Sequence, residues 1–557
     1  MSNAGALDPG SVRIGDYLIE RLGALGVGHV FGVPGDFVLG FFRMLDESPL
    51  TVVNTCDEQG AGFAADAYAR LKGIGAVCVT YGVGGLKLAN TTGQAYAELS
   101  PVVVISGAPG VREQEEQPLL HHKVRFYETQ RLVFEELTVA ATVLDDPLVA
   151  CREIDRVLKA AVTHRRPVYI ELPRDMVDEL APRPVGPVVD EAPDTDHAVL
   201  AAAVDEVVER LRAARQPVAL LGVGAARFGL LDEAMVVIER MRMPTAVTLL
   251  DKSAISEQHP LFLGVYAGAM SRPEVREYVE SADLLLLLGS LLTDVNLGGG
   301  TARLDRARFI HATDGRLVVG YHAYDDLPLG ELLLALAAED LPVCHGTFPA
   351  PPPLEPWVAR PDAPVTVQRL FQRLASFLTD DTVVIADPGD AMFGAIDLPV
   401  RRDHEFIANA FYASLGFAVP ASIGAQLAAP GRRPLVLVGD GAFQMTGTEL
   451  STSIRFGLDP IVVIFDNGGY GIERLMVDGS FNDILPWDHL RLVDLFGAGT
   501  GFEVHTEADL DRALGGALTS PGVPAIIRVM LDPKDTSPAT RRIAERFGAA
   551  AQDIDTA

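Results

Sequence analysis

Short apolar runs, roughly four to seven residues long, recur along the chain and are separated by stretches of helical periodicity. They read HVFGV (29–33), AVCVTYG (76–82), PVVVISG (101–107), PVYIELP (167–173), PVALLGVG (217–224), DLLLLLGS (283–290), TVVIADPGD (382–390), PLVLVGDG (434–441), PIVVIFDN (460–467) and PAIIRVML (524–531). Their hydrophobicity is continuous rather than alternating and rich in Val and Ile, the pattern of strands covered on both faces in a parallel sheet. An α/β protein built from doubly wound parallel sheets is predicted. Two Pro-rich, acidic breaks, near 181–197 and 348–366, have the composition of linkers. They divide the chain into three expected domains, 11–185, 195–345 and 360–557.

Length and composition agree with this reading. A chain of 557 residues exceeds what one core serves, and 48% hydrophobic with 22% charged residues is an ordinary globular balance. The net charge of −29 repels phosphate at long range, so nucleic acid and anionic membranes are not expected partners. Cys56, Cys78, Cys151 and Cys344 lie far apart without CxxC spacing, which favours reduced packing residues and a cytoplasmic location over a disulfide framework or zinc site. The longest strongly apolar run, ADLLLLLGSLL, is too short to span a bilayer, and the start of the chain does not read as a signal peptide. The opening MSNA reads as an expression scar. No short repeat is evident.

The chemistry concentrates at VGDGAFQMTGTELSTSIRFGLDPIVVIFDNGGYGIE (438–473). RPLVLV reads as a buried strand ending at Gly439, MTGTELSTSIRFG as a crossover helix, and PIVVIF as the next parallel strand. A right-handed βαβ unit places both strand ends on one sheet edge, so Asp440 and Asn467 converge although residues 442–466 lie between them. Two hard oxygen donors with room for phosphate oxygens and water suit Mg²⁺. Gly439 and Gly441 let the backbone approach a diphosphate, which helix-opening N–H groups can bind. Taken alone, GDG is also a common turn; pairing with a second glycine-flanked strand end is what favours the ligand site.

That spacing, GDG followed about two dozen residues later by N, resembles the metal and diphosphate motif of thiamine-diphosphate enzymes. The segment through GYGIE is similar to their pyruvate and indolepyruvate decarboxylase branch. Further landmarks occur in the family's order: GVPGDF with Asp36, TCDEQGAGFAADAYAR with Glu58, LLHHK with His121 and His122, DPGDAMF with Asp390, and NAFYASLGFAVPASIGAQ. The resemblance runs from about residue 12 to 535 and is weakest in the central domain.

The resemblance implies thiamine diphosphate and Mg²⁺ as cofactors, with Asp440, Asn467 and Gly469 at the metal and Gly439, Gly441, Ala442 and Ile472 at the cofactor. It implies that Glu58 hydrogen-bonds N1′ of the aminopyrimidine, a task suited to a carboxyl group shielded from water. Taken alone, Glu58 equally reads as an acidic residue at a helix N-terminus. Ala413 is implied to accept from the 4′-amino group, Leu415 to prop the bent cofactor, and Asp390 to contact its amino side. Asp36, His121, His122 and Glu473 are implied to surround the substrate and move protons near neutrality. The two histidines, if on a regular strand, point opposite ways, one toward substrate and one orienting it. The family's interfacial active sites imply a homodimer or homotetramer.

The expected activity is non-oxidative decarboxylation of a 2-oxo acid to an aldehyde and CO₂. Carboligation, and less strongly a silent binding protein on the same fold, remain alternatives. Pyruvate-specific members carry large aromatics where this chain has Met392 and Val295, so a wider pocket and a large or aromatic 2-oxo acid are expected, unless Phe393 or Leu292 fills the space. GVGAARFG in the central domain lacks full GxGxxG spacing, so no bound FAD or NAD is expected.

Overall fold

The structure is a computed structural model and describes residues 10–186, 195–401 and 406–545. The MSNA opening and part of the first linker lie outside these residues. The chain forms two compact units, one comprising residues 1–192, 420–430 and 446–456, the other 193–419, 431–445 and 457–557.

The first unit holds a six-stranded parallel sheet in the order Thr51–Asn54, His29–Val33, Gly75–Val79, Val102–Ala108, Val168–Pro173, Ala140–Val143. Numbered along the chain, this order is 2-1-3-4-6-5. Strands Gly75–Val79 and Val102–Ala108 are buried at every position, as their unbroken apolar sequence predicts. Ser11–Arg13 pairs antiparallel with Leu180–Pro182 and ties the two ends of this domain together. Helix Glu58–Lys72 is capped by the Asp57 carboxylate, which accepts from Gln59 N–H, and ends on Gly73 at φ 88°. Its alanines and glycines let it press close to the sheet.

The second unit contains two sheets. The central domain has seven strands in the order Phe262–Val265, Thr245–Val247, Pro217–Leu221, Leu284–Leu288, Phe309–Thr313, Arg316–Val319, His322–Asp325, parallel over the first five and antiparallel at the last two pairings. The C-terminal domain has six parallel strands in the order Phe406–Ala408, Thr382–Ala386, Arg433–Gly439, Ile461–Asp466, Ala525–Met530, Thr500–Val504. This is again 2-1-3-4-6-5. Three α/β domains with mostly parallel sheets are therefore present. The ten apolar runs are all strands. The crossover after Gly439 is not the single helix expected: helix Asp440–Thr446 and helix Leu450–Arg455 flank a 3₁₀ turn, Gly447–Glu449.

Candidate active site

Both six-stranded sheets reverse strand order between their first and third strands, and the loops beyond the ends of the first four strands of each carry nearly every candidate residue. In the C-terminal sheet, Arg433–Gly439 and Ile461–Asp466 are neighbours with Gly439 opposite Phe465, so Asp440 and Asn467 emerge on the same edge. A cavity of about 320 Å³ opens there, bordered by Asp390, Ala413, Leu415, Gly439–Ala442, Asn467 and Gly469–Glu473 among others.

Asp440 is 1% exposed. Its Oδ1 accepts from Gly441 N–H at 2.8 Å, and its Oδ2 from Gly468 and Gly469 N–H at 2.7 and 3.1 Å. One carboxylate thus ties the turn after one strand to the end of its neighbour. Burial, with the nearby Asp466 charge adding to it, pushes its ionisation up to about 6. Asn467 Oδ1 is buried without a hydrogen-bond partner. A carboxylate made uncomfortable by burial beside an orphaned amide oxygen fits a hard divalent cation, and the donor set matches Mg²⁺. At Gly439 nothing lies within 4 Å of where a Cβ would project, so that edge is open to a ligand. At Gly441 a Cβ would press on the Tyr470 ring at 2.8 Å.

The far wall is the turn 409–416. Ala413 sits at φ 56°, a left-handed conformation a non-glycine residue rarely adopts. Asn409 Nδ2 donates to Ser414 O at 2.8 Å, and Asp387 accepts Gly416 and Ala418 N–H at 3.0 and 2.8 Å, presenting Leu415 to the cavity. Burial raises Asp387 to about 7 despite these donors. Its positioning role was missed, although it stands three residues before Asp390 in DPGD. Asp390 itself borders the cavity, but its carboxylate is engaged by Ser537 N–H at 2.8 Å, Thr540 OH at 2.7 Å and Ser537 OH. Glu473 is exposed on helix Gly471–Met476 at the cavity's border.

Neither of the two residues expected over the substrate borders this cavity. Met392 is 1% exposed and faces the core; Ala391 and Phe393 on either side of it border the cavity. Along the short helix Asp390–Gly394 each residue is turned about 100° from the last, so Met392 and Phe393 face different ways, which sequence alignment cannot register. Val295 lies in the loop after Leu284–Leu288 and does not border the cavity either.

The remaining candidates gather in the first unit. Glu58 opens helix Glu58–Lys72 with its side chain 12% exposed, and Lys87 Nζ lies 2.8 Å from its Oε2. The N-terminus of that helix is held by Glu449, which accepts Cys56 and Asp57 N–H at 3.1 Å each. Nothing in the local sequence marks Glu449 for this, since its partners lie nearly four hundred positions earlier. Asp36 follows strand His29–Val33, and its Oδ2 lies 2.8 Å from His121 Nε2. His121 and His122 are in a turn, not a strand, with His122 at φ 67°. The expected opposite orientation gives way to two rings 4.6 Å apart at their centroids, His121 stacked on Phe37 at 4.8 Å and His122 edge-on to it at 5.9 Å. His122 Nδ1 is buried without a partner.

The C-terminal sheet therefore offers a cation and diphosphate cradle at its strand ends, and the first unit separately offers a glutamate and an Asp–His–His group. Comparison with known proteins agrees. Models of the thiamine pyrophosphate enzymes match in three parts: the N-terminal TPP binding domain over residues 12–130, the central domain over 204–329, and the C-terminal TPP binding domain over 388–529. An indole-3-pyruvate decarboxylase of Azospirillum brasilense is 38% identical over 527 residues, covering 93% of this chain and 95% of that protein. A pyruvate decarboxylase of Candida glabrata is 33% identical over 504 residues, 87% and 89% of the two chains. An alpha-keto-acid decarboxylase of Mycobacterium leprae is 35% identical over 519 residues, 90% of each. With the cradle, the glutamate and histidine group of the first unit and these relatives all pointing one way, the chain belongs to the thiamine pyrophosphate enzymes, as one of their 2-oxo-acid decarboxylases.

Proposed function

We propose that the 2-oxo acid decarboxylated by this enzyme is large or aromatic, of the phenylpyruvate or indolepyruvate kind, and that Mg²⁺ accompanies the cofactor. The observation supporting the substrate class is the apolar part of the C-terminal cavity's border that the cofactor residues leave over, Ala391, Phe393 and Phe465. Burying an aromatic ring against such a surface contributes about 1.5–3 kcal/mol, a roughly tenfold to hundredfold preference over pyruvate. The name of the Azospirillum brasilense relative points the same way.

Thiamine diphosphate, when bound, supplies the electron sink for loss of CO₂. Asp440, Asn467 and Gly469 hold the ion; Gly439, Gly441 and Ala442 admit the diphosphate; Ala413, Leu415, Asp390 and Ile472 form the opposite wall. Glu58 presents its carboxyl group to the aminopyrimidine. Asp36 and His121, paired at 2.8 Å, move a proton on the substrate side with His122 beside them, and Glu473 is a further proton-moving group, at the border of the C-terminal cavity. Domain boundaries at 11–185, 195–345 and 360–557, a homodimer or homotetramer with shared active sites, and a cytoplasmic location complete the reading. Among the described residues no helix is long and apolar enough to cross a membrane. The test is a panel of 2-oxo acids, with and without an aldehyde acceptor, assayed for CO₂, aldehyde and acyloin. The highest kcat/KM should fall on an aromatic or long-chain acid; a maximum on pyruvate refutes the substrate class.

A further inference from the structure

The loop from Thr80 to Leu88 runs behind both catalytic groups of the first unit. A Cβ on Gly82 would press on His122, 2.5 Å from its carbonyl oxygen and 2.8 Å from its Cβ. At Gly84 a Cβ would stand 3.2 Å from Glu58 Oε1. The position of this one loop thus sets the backing of Glu58 and of His122 together.

The loop is pinned from beneath by a side chain that touches neither. Gln130, 2% exposed, accepts Gly82 N–H on Oε1 at 2.7 Å, and Gly85 packs against the same amide. Its Nε2 donates to Ser106 Oγ at 2.8 Å and to Tyr169 OH at 2.7 Å. Tyr169 OH in turn donates to Glu171 Oε2 at 2.6 Å. Glu171 is 6% exposed and borders a separate cavity of about 530 Å³, together with Tyr127, Glu128, Arg131 and Asp145.

This chain of hydrogen bonds has a direction. An ionised carboxylate only accepts, so Tyr169 must donate to it; the tyrosine oxygen is then left to accept from the Gln130 NH₂, which turns the amide oxygen toward Gly82. The backbone N–H of Gly82 demands the same orientation from the opposite end. We propose that Gln130 is a positioning residue for decarboxylation, its amide fixing the loop behind Glu58 and His122 and being itself oriented by Tyr169 and Glu171. The assignment rests on the decarboxylase reading above for what the loop serves.

Protonation of Glu171 removes one of the constraints on the amide, because a carboxylic acid can donate to Tyr169, leaving Gly82 N–H and Ser106 Oγ alone to hold it. Burial pushes Glu171 up to about 7, Glu128 and Asp145 raising it further and Arg131 opposing them. The loop is therefore held best above about pH 7 and less well as pH falls through that value.

The experiment compares wild type, Gln130→Leu, Tyr169→Phe and Glu171→Gln, each loaded with thiamine diphosphate and Mg²⁺. Gln130→Leu should lower kcat by about tenfold to hundredfold with KM within about threefold, the cost of a misplaced catalytic group. It should also speed amide hydrogen exchange of the 80–88 segment. Glu171→Gln keeps an acceptor for Tyr169, so its kcat should stay near wild type while the limb of the pH profile near 7 is lost. A purely structural Gln130 would lower the melting temperature and leave kcat, the pH profile and 80–88 exchange unmoved, which overturns the assignment. If Gln130→Leu does not fold, Tyr169→Phe and Glu171→Gln decide: unchanged kcat, pH profile and exchange in both overturn it. Wild-type failure on every 2-oxo acid sinks the decarboxylase reading instead, and 80–88 exchange still decides whether Gln130 holds the loop.

Discussion

Asp440→Ala offers the sharpest test of the cation and diphosphate cradle. The carboxylate accepts three backbone N–H groups, two of them, from Gly468 and Gly469, linking the first strand end to the turn that carries Asn467. Hydrogen bonds to a charged acceptor contribute about 1.5–3 kcal/mol each, so losing these two removes about 3–6 kcal/mol of organisation from the turn. The ion also loses its only charged protein ligand in the proposed set. Cofactor affinity should therefore fall by about a hundredfold or more. The assay is titration calorimetry of thiamine diphosphate with Mg²⁺ into the apo variant at pH 7, with circular dichroism and gel filtration checking fold and assembly. A dissociation constant within about threefold of wild type in a folded variant would refute the convergence of the two strand ends as the cradle. The carboxylate also predicts a pH dependence. Its ionised form is the ligand, and with ionisation held near 6 the ionised fraction falls about tenfold between pH 7 and pH 5. Affinity, corrected for the cofactor's own ionisation, should fall correspondingly. Stability of the apo protein runs the other way: a carboxylate raised from 3.8 to about 6 costs about 3 kcal/mol once ionised, a cost absent below pH 4 and complete above pH 6.

Other outcomes are equally specific. Glu58→Gln should cut kcat by at least about a hundredfold while the protein stays folded and assembled, and unchanged turnover refutes its role. Glu507, fully buried, takes bonds from Arg369 and Arg360 that hold its carboxyl down to about 2. That lowering from 4.5 to about 2 contributes about 3 kcal/mol above pH 4.5, lost as pH falls toward 2. Glu507→Gln should thus be less stable by about that amount in urea unfolding at pH 7, and the gap should close near pH 2. The double change Val295→Phe with Met392→Trp should leave relative kcat/KM for pyruvate and phenylpyruvate within about threefold, because neither side chain borders the cavity; a shift toward pyruvate would return both residues to the substrate.

The amino-acid sequence by itself determined the fold class, because central strands of parallel sheets are covered on both faces and must be apolar throughout. Every run read as a strand is one. The strands that escaped this pattern lie chiefly toward the sheet edges. Ala140–Val143 and Thr500–Val504 each have one covered face, and their burial is broken accordingly. The cradle was legible for a related reason: glycines beside Asp440 and Asn467 mark strand ends where backbone must come close to a ligand. Tertiary structure alone decided what depends on distant contacts. Met392 and Phe393 differ in facing because a helical step, not residue type, chooses which meets the cavity. The histidine pair leaves the expected alternation because His122 turns left-handed over Phe37. Gln130 joins Tyr169 and Glu171 in one directed chain although a strand and a helix lie between it and their strand. Finally, both six-stranded sheets take the order 2-1-3-4-6-5 without any repeat in sequence, since strand order is set by how crossovers pack on a sheet and many apolar sequences satisfy the same packing.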